Sequence, residues 1–374
     1  MMELEELRSL IEVALGERPP ELLIRGARIV NTYTLELEEG NIAIFGGLIA
    51  GVGDYARGER IIDARGLFAA PSFIDAHIHL ESTHLLPGEF ARAVVPRGTG
   101  AAVADPHEIA NVLGLEGIRF LIESSRGLPL DLFWMVPSCV PASPFESAGA
   151  ELGPREIEEA LSWDWDREWD QEEARVLGLG EVMNYPGVLA KDEPVLRKLL
   201  AAAGRPIDGH APHLVGRELN AYLAAGPTTD HETTAPEVAA EKLRRGMMIQ
   251  IREGSSEHNL RELLPLVGDR NASRFMFASD DRSPRDLTRE GHMDHILREA
   301  VAAGLDPKVA IRLATLNPAE HYRLERLGAI APGRWANLVL LEDLEGFRAR
   351  MVFYRGRLVA EEGRPLFAPS RSRR

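Results

Sequence analysis

Two histidines set two residues apart, His77 and His79, close the apolar run Phe73-Ile74-Asp75-Ala76-His77-Ile78-His79. On a strand, side chains at i and i+2 leave the same face, so both imidazoles can grip one metal ion. Residues of metal-ligand type stand at the ends of other short runs. Glu181 follows Gly178-Leu179-Gly180, and His210 follows Ile207-Asp208-Gly209. His231 lies in Thr229-Asp230-His231-Glu232, and Asp280 follows Phe277-Ala278-Ser279. Any one of these alone reads as structure or surface. Together, four imidazoles and two carboxylates suit a pair of divalent ions sharing a bridging carboxylate.

Residues so scattered converge only if the strands carrying them lie side by side. From residue 67 the chain alternates strand-like and helical patterns. Strands are predicted over 67–75, 101–105, 132–136, 176–181, 206–210, 228–231, 247–251 and 274–280. Helical spacing fills 111–124, 155–161, 193–203, 214–225 and 235–245, then 293–303 and 307–315. Strands alternating with helices in this way predict an α/β fold, a (β/α)8 TIM barrel with its site at the C-terminal strand ends. The catalytic domain is expected over 67–327. Residues 21–66 and 328–366 carry short glycine-punctuated strands and are expected to pair into one discontinuous β-sandwich. Ahead of them, 1–20 hold Leu4, Leu7, Leu10, Ile11 and Leu15 at helical spacing, a docking helix ended by Pro19-Pro20. The run Trp163-Asp164-Trp165-Asp166-Arg167-Glu168-Trp169-Asp170 reads as a solvated surface segment.

Of 374 residues, 45% are hydrophobic and 27% charged, which is globular composition. The net charge of −15, from 43 basic and 58 acidic side chains, argues against a phosphate-backbone partner. The basic run Arg371-Ser372-Arg373-Arg374 reads as solvated. Cys139 is the single cysteine, so no intrachain disulfide forms, which fits a reducing cytoplasm. No signal peptide is expected from the acidic N-terminus, and no apolar run is long enough to span a bilayer.

Several stretches resemble the adenine deaminase family of the amidohydrolase superfamily. They include 73–82, Ala104-Asp105-Pro106-His107-Glu108-Ile109-Ala110-Asn111, and Met135-Val136-Pro137-Ser138-Cys139-Val140-Pro141-Ala142. Gly180-Glu181-Val182-Met183-Asn184-Tyr185-Pro186-Gly187, Gly209-His210-Ala211-Pro212 and Thr229-Asp230-His231-Glu232 also match. So do Arg252-Glu253-Gly254-Ser255, Asp280-Asp281-Arg282 and Glu290-Gly291-His292. Many superfamily members bridge their metals with a carbamylated lysine; here a glutamate, Glu181, holds that place.

The resemblance implies hydrolysis of adenine to hypoxanthine and ammonia by a metal-activated hydroxide. It implies two divalent ions, manganese or iron with zinc as a further option, held by His77, His79, Glu181, His210, His231 and Asp280. Asp280 is expected to touch both a metal and the nucleophile and to carry its proton. Glu81 and Asp105 are further catalytic candidates, and Asp105 is also placed to order the ligands. His107, Glu108, Arg252, Glu253 and Ser255 are candidate substrate contacts. A purine base is the implied partner, and a homo-oligomer the implied assembly. Two departures stand out. Family members carry a further C-terminal domain, and they have histidine where this chain has Ser283. These keep two alternatives open: a related enzyme acting on another aminated heterocycle or cyclic amide, and a catalytically impaired metal-binding paralogue.

Overall fold

The structure, a computed structural model, describes residues 3–143, 145–163 and 176–368. Most of the aromatic–acidic run from Asp164 and the basic run at Arg371 lie outside the described residues. The chain divides into two compact units. One takes the N-terminal stretch to Ile74, Ala91–Ala101 and Gly291–Ala368; the other takes Asp75–Phe90 and Ala102–Glu290.

In the first unit both flanks of the chain join one nine-stranded mixed sheet. Leu338–Leu341 runs antiparallel to Phe68–Pro71, and this pairing connects the late strands to the early ones. Leu22–Val30 lies next, then Leu37–Phe45 and Leu48–Gly53. Alternate residues of these strands, among them Ile24, Ile29, Ile42, Ile44, Leu338, Leu340 and Phe353, bury one common apolar cluster. This alternation is what period-2 patterning dictates. The N-terminal helix is Leu4–Ala14. Its docking differs from expectation: Val13 and Leu10 pack against Leu23, Ala43 and Ala50, while Leu4, Leu7, Ile11 and Leu15 are exposed.

The parallel series begins with a second correction. Residues 67–75 do not form one strand. Phe68–Pro71 belongs to the mixed sheet and Phe73–Ile78 to the parallel one. Ser72 separates them, its N–H given to the Asn337 carbonyl at 3.0 Å. Among the described residues this series has eight strands, Phe73–Ile78, Thr99–Ala104, Asp131–Val136, Val176–Val182, Ile207–Gly209, Thr229–Asp230, Met248–Arg252 and Phe275–Ala278. They are called first to eighth below.

The first five form one sheet in sequence order and the last three another. Thr228 N–H donates to the Ile207 carbonyl at 2.9 Å where the fifth and sixth meet. At the other junction Asp280 N–H donates to the His77 carbonyl at 2.9 Å, and His79 N–H to the Asp280 carbonyl at 3.1 Å. The second unit is thus a curled parallel assembly with helices between its strands. The expected helix over 111–124 is two, His107–Leu113 and Leu115–Ser124. Gly114, with φ +61°, breaks them apart in a conformation that favours glycine.

Candidate metal centre

The curled assembly carries each ligand-type residue to the same rim. His79, His210 and His231 each stand one residue beyond their strand, and Asp280 two beyond its own. His77 lies within the first strand and Glu181 within the fourth. Asp280 sits at φ +56°, a left-handed conformation that aspartate tolerates better than most residues. Its main chain is bonded on both sides to the His77–His79 segment, so the eighth strand's carboxylate is fixed to the first strand's imidazoles.

The side chains converge in a definite order. His77 Nε2 and His79 Nε2 are 3.2 Å apart. Asp280 Oδ1 lies 3.5 Å from the first and 3.2 Å from the second. Glu181 divides its carboxylate. Oε2 is 2.6 Å from His210 Nδ1 and 3.1 Å from His231 Nε2. Oε1 is 3.4 Å from His79 Nε2 and 3.3 Å from His107 Nδ1. One oxygen thus faces each pair of imidazoles, an arrangement that could let the carboxylate bridge two cations.

The donor set fits divalent cations. His79 Nδ1 is 2.8 Å from the Asp105 carbonyl oxygen, an acceptor only, so Nδ1 carries the hydrogen. In the neutral ring that leaves the Nε2 lone pair facing the cluster, the usual outer contact of a ligating histidine. Two nitrogens each about 2.1 Å from one cation lie about 3.0–3.4 Å apart at tetrahedral to right angles. The His77–His79 spacing falls in that interval.

The electrostatics have the same cause throughout. Burial would raise both acids, yet His107, His210, His231 and His79 hold Glu181 well below the usual carboxylate range. Burial likewise opposes ionisation of Asp280, and His77 and His79 reverse it. Burial disfavours charge on His231, but Glu181 beside it pushes the imidazole up to about 9. His77, buried and facing His231, is pushed down to about 4. Against burial, the carboxylates of the cluster thus favour protons on His231 and His79, where cations would otherwise sit.

The remaining sequence candidates separate into two groups. Asp105 is buried beside the cluster, and its Oδ2 accepts the Glu181 N–H at 2.9 Å. Burial raises its carboxyl to about 6, with His107 opposing. Glu81 accepts the Ile109 N–H at 3.0 Å, and burial raises its carboxyl. His107 approaches Glu181 itself. Arg252 is buried and pairs through Nη1 with both Asp280 Oδ2 and Glu232 Oε1.

The other candidates are engaged elsewhere. Glu108 is exposed on its helix. Glu253 accepts from His258 Nδ1 at 2.8 Å. Ser255 Oγ donates to Asp286 Oδ2 at 2.5 Å and accepts the Ser283 N–H at 2.8 Å. Ser283 caps the helix Pro284–Arg289 by accepting the Asp286 N–H. Glu232 is a site residue that sequence reasoning missed. Its Oε1 lies 3.9 Å from His210 Nδ1 and 3.8 Å from His231 Nε2. The available signal was its place directly after His231.

Beside the fourth strand, Cys139 lines a cavity of about 520 Å³ with Ser138, Asn184 and Lys198. Among the described residues, no helix is long and apolar enough to cross a membrane.

Residues 68–359 match the Amidohydrolase family, and the chain belongs to that family. Within it, the chain is similar to adenine deaminases. It is 47% identical over 97% of its length to adenine deaminase 2 of Carboxydothermus hydrogenoformans, and 49% identical over 97% to the adenine deaminase of Dehalococcoides mccartyi. In both cases it spans 62% of the relative's own length. Solved structures share the fold. A beta-aspartyl dipeptidase from Fervidobacterium islandicum superposes with TM-score 0.67 at 16% identity, over 92% of this chain and 98% of that one. A zinc-complexed atrazine chlorohydrolase from Arthrobacter aurescens gives 0.63 at 16%, over 93% and 97%.

Proposed function

We propose that this chain deaminates adenine hydrolytically, adenine and water giving hypoxanthine and ammonia. The divided Glu181 carboxylate carries this reading: one oxygen faces His210 and His231 and the other faces His79, the neighbour of His77, in a chain similar to adenine deaminases over nearly its whole length. One divalent cation would be held by His77, His79, Asp280 and Glu181, the other by His210, His231 and Glu181. Manganese or iron is the proposed metal, with zinc a further option. When bound, such ions acidify water enough to supply hydroxide at neutral pH.

The chain's own residues do the rest. Arg252 fixes Asp280 Oδ2, leaving Oδ1 toward the imidazoles. Asp280, held ionised, takes the proton of the attacking water and delivers it to the departing amine. Glu81, whose carboxyl burial favours in the neutral form, is suited to protonate a ring nitrogen and to recover the proton of the C6 hydroxyl as the carbonyl forms. His107 and Arg252 would border the base. We read the curled assembly, whose strands run from Phe73 to Ala278, as a (β/α)8 barrel, and the nine-stranded sheet, which adds Phe68–Pro71 to strands within 21–66 and 328–366, as a β-sandwich. A homo-oligomer in the cytoplasm is the proposed setting.

The test is a substrate panel. Manganese- or iron-loaded protein is incubated with adenine, adenosine, cytosine, guanine and dihydroorotate, following ammonia and substrate loss. Ammonia from adenine alone is expected. Turnover of another compound makes this a different hydrolase of the family, and silence across a wide panel makes it an impaired paralogue.

A further inference from the structure

We infer that Asp105 is a positioning residue that holds two metal ligands from two strands at once, and that Gly180 is the residue that admits it. The inference rests on the metal-centre reading above.

The fourth strand is irregular where it matters. Ile207 pairs with Leu179, but Gly209 pairs with Val182, so two steps on the fifth strand answer three on the fourth. Such a bulge turns a side chain to a new direction and leaves main-chain groups outside the ladder. Glu181 is in this bulge. Its N–H goes to Asp105 Oδ2 at 2.9 Å. The other half of Asp105 is tied to the first strand. Its N–H donates to the Ile78 carbonyl at 3.0 Å, and its carbonyl takes the His79 Nδ1 hydrogen at 2.8 Å.

One residue therefore orients His79 through its main chain and Glu181 through its side chain. Space for it depends on Gly180. A Cβ there would stand 2.0 Å from Asp105 Oδ2 and 2.7 Å from its Cγ. Any side chain at 180 would displace the carboxylate from the bulge.

This role needs an acceptor oxygen and no proton transfer, which separates it from catalysis. Asp105→Asn keeps an oxygen of the same reach; Asp105→Ala removes it; Gly180→Ala pushes it aside. Each variant is reconstituted with manganese, dialysed and measured for metal per chain and metal affinity, with circular dichroism as a folding control and adenine turnover alongside. Asp105→Asn is expected to retain two ions per chain, with kcat lowered no more than about tenfold. Asp105→Ala and Gly180→Ala are expected to lose about 10–100-fold in metal affinity.

Asp105→Asn with full metal but kcat down a thousandfold would make Asp105 a proton carrier and overturn the inference. So would Asp105→Asn that fails to hold metal, or Asp105→Ala loading like the wild type. If Asp105→Ala does not fold, Asp105→Asn decides alone. A wild-type chain that takes up no cation sinks the metal-centre reading, and this inference with it. A wild type that loads two ions beside an unaffected Asp105→Ala sinks only the inference.

Discussion

The ends of the parallel strands and the loops beyond the seventh and eighth strands both match family motifs, yet they use their polar groups differently. At the strand ends, His77, His79, Glu181, His210, His231 and Asp280 turn toward one another, their ligand atoms grouping in threes within 4.8 Å. In the loops, Ser255, Asp286 and Ser283 satisfy one another and cap a helix. Strand ends in a shared register have little choice of direction, so residue type there becomes function. A loop can bend until its polar groups find local partners. A motif match in a loop therefore says less about chemistry than the same match on a strand.

Substitutions can break or sharpen that contrast. Asp280→Ala should have the largest effect, lowering kcat by about 10²–10⁴ if it carries the proton, with circular dichroism unchanged. Near-normal turnover would remove it from the mechanism. Glu181→Ala should cost the chain at least one of its two ions, as metal analysis would show; two ions retained would deny the bridge. Arg252→Met frees Asp280 Oδ2 and should lower kcat/KM about 10–100-fold while the metals stay bound.

Protons give a further test. In the metal-free fold, against burial, Glu181 pushes the His231 imidazole up to about 9, so below that pH a cation must displace its proton. Metal affinity should rise with pH toward 9, by about tenfold per unit for each proton released, and flatten above. Calorimetry in buffers of differing ionisation enthalpy measures that release; none at pH 7 would contradict the protonated cluster. Ser283→Ala should do least. It loses a helix cap, about 0.5–2 kcal/mol of stability, and should leave kcat/KM within about twofold. A large kinetic loss would return the eighth-strand loop to the site.

The legible parts of the sequence follow the same division. The convergence of the six candidate ligands was readable because strand period and residue type coincide at or next to each strand end. The joining of both flanks was readable from their shared glycine-punctuated rhythm, though the division at Ser72 was not, because Phe68 to Ile78 is continuously apolar apart from Ser72, Asp75 and His77. Helix spacing located Leu4–Ala14 but not the face it docks. Leu4, Leu7 and Ile11 recur as regularly as a buried stripe, while the packing is made by Val13 and Leu10. The Arg252–Asp280 and Arg252–Glu232 pairs join separate strand ends, and their partners emerge only when those ends are adjacent. The bulge at Glu181 left one visible trace, Gly180 before the ligand, whose reason is the Asp105 carboxylate above it.

Glu181 is proposed to bridge two cations at this rim. A crystal grown with manganese and measured at the manganese edge tests it directly. Two anomalous peaks are predicted, one beside His77, His79 and Asp280, the other beside His210 and His231, with Glu181 between them. No peak at this rim, or one from which Glu181 is turned away, would contradict it.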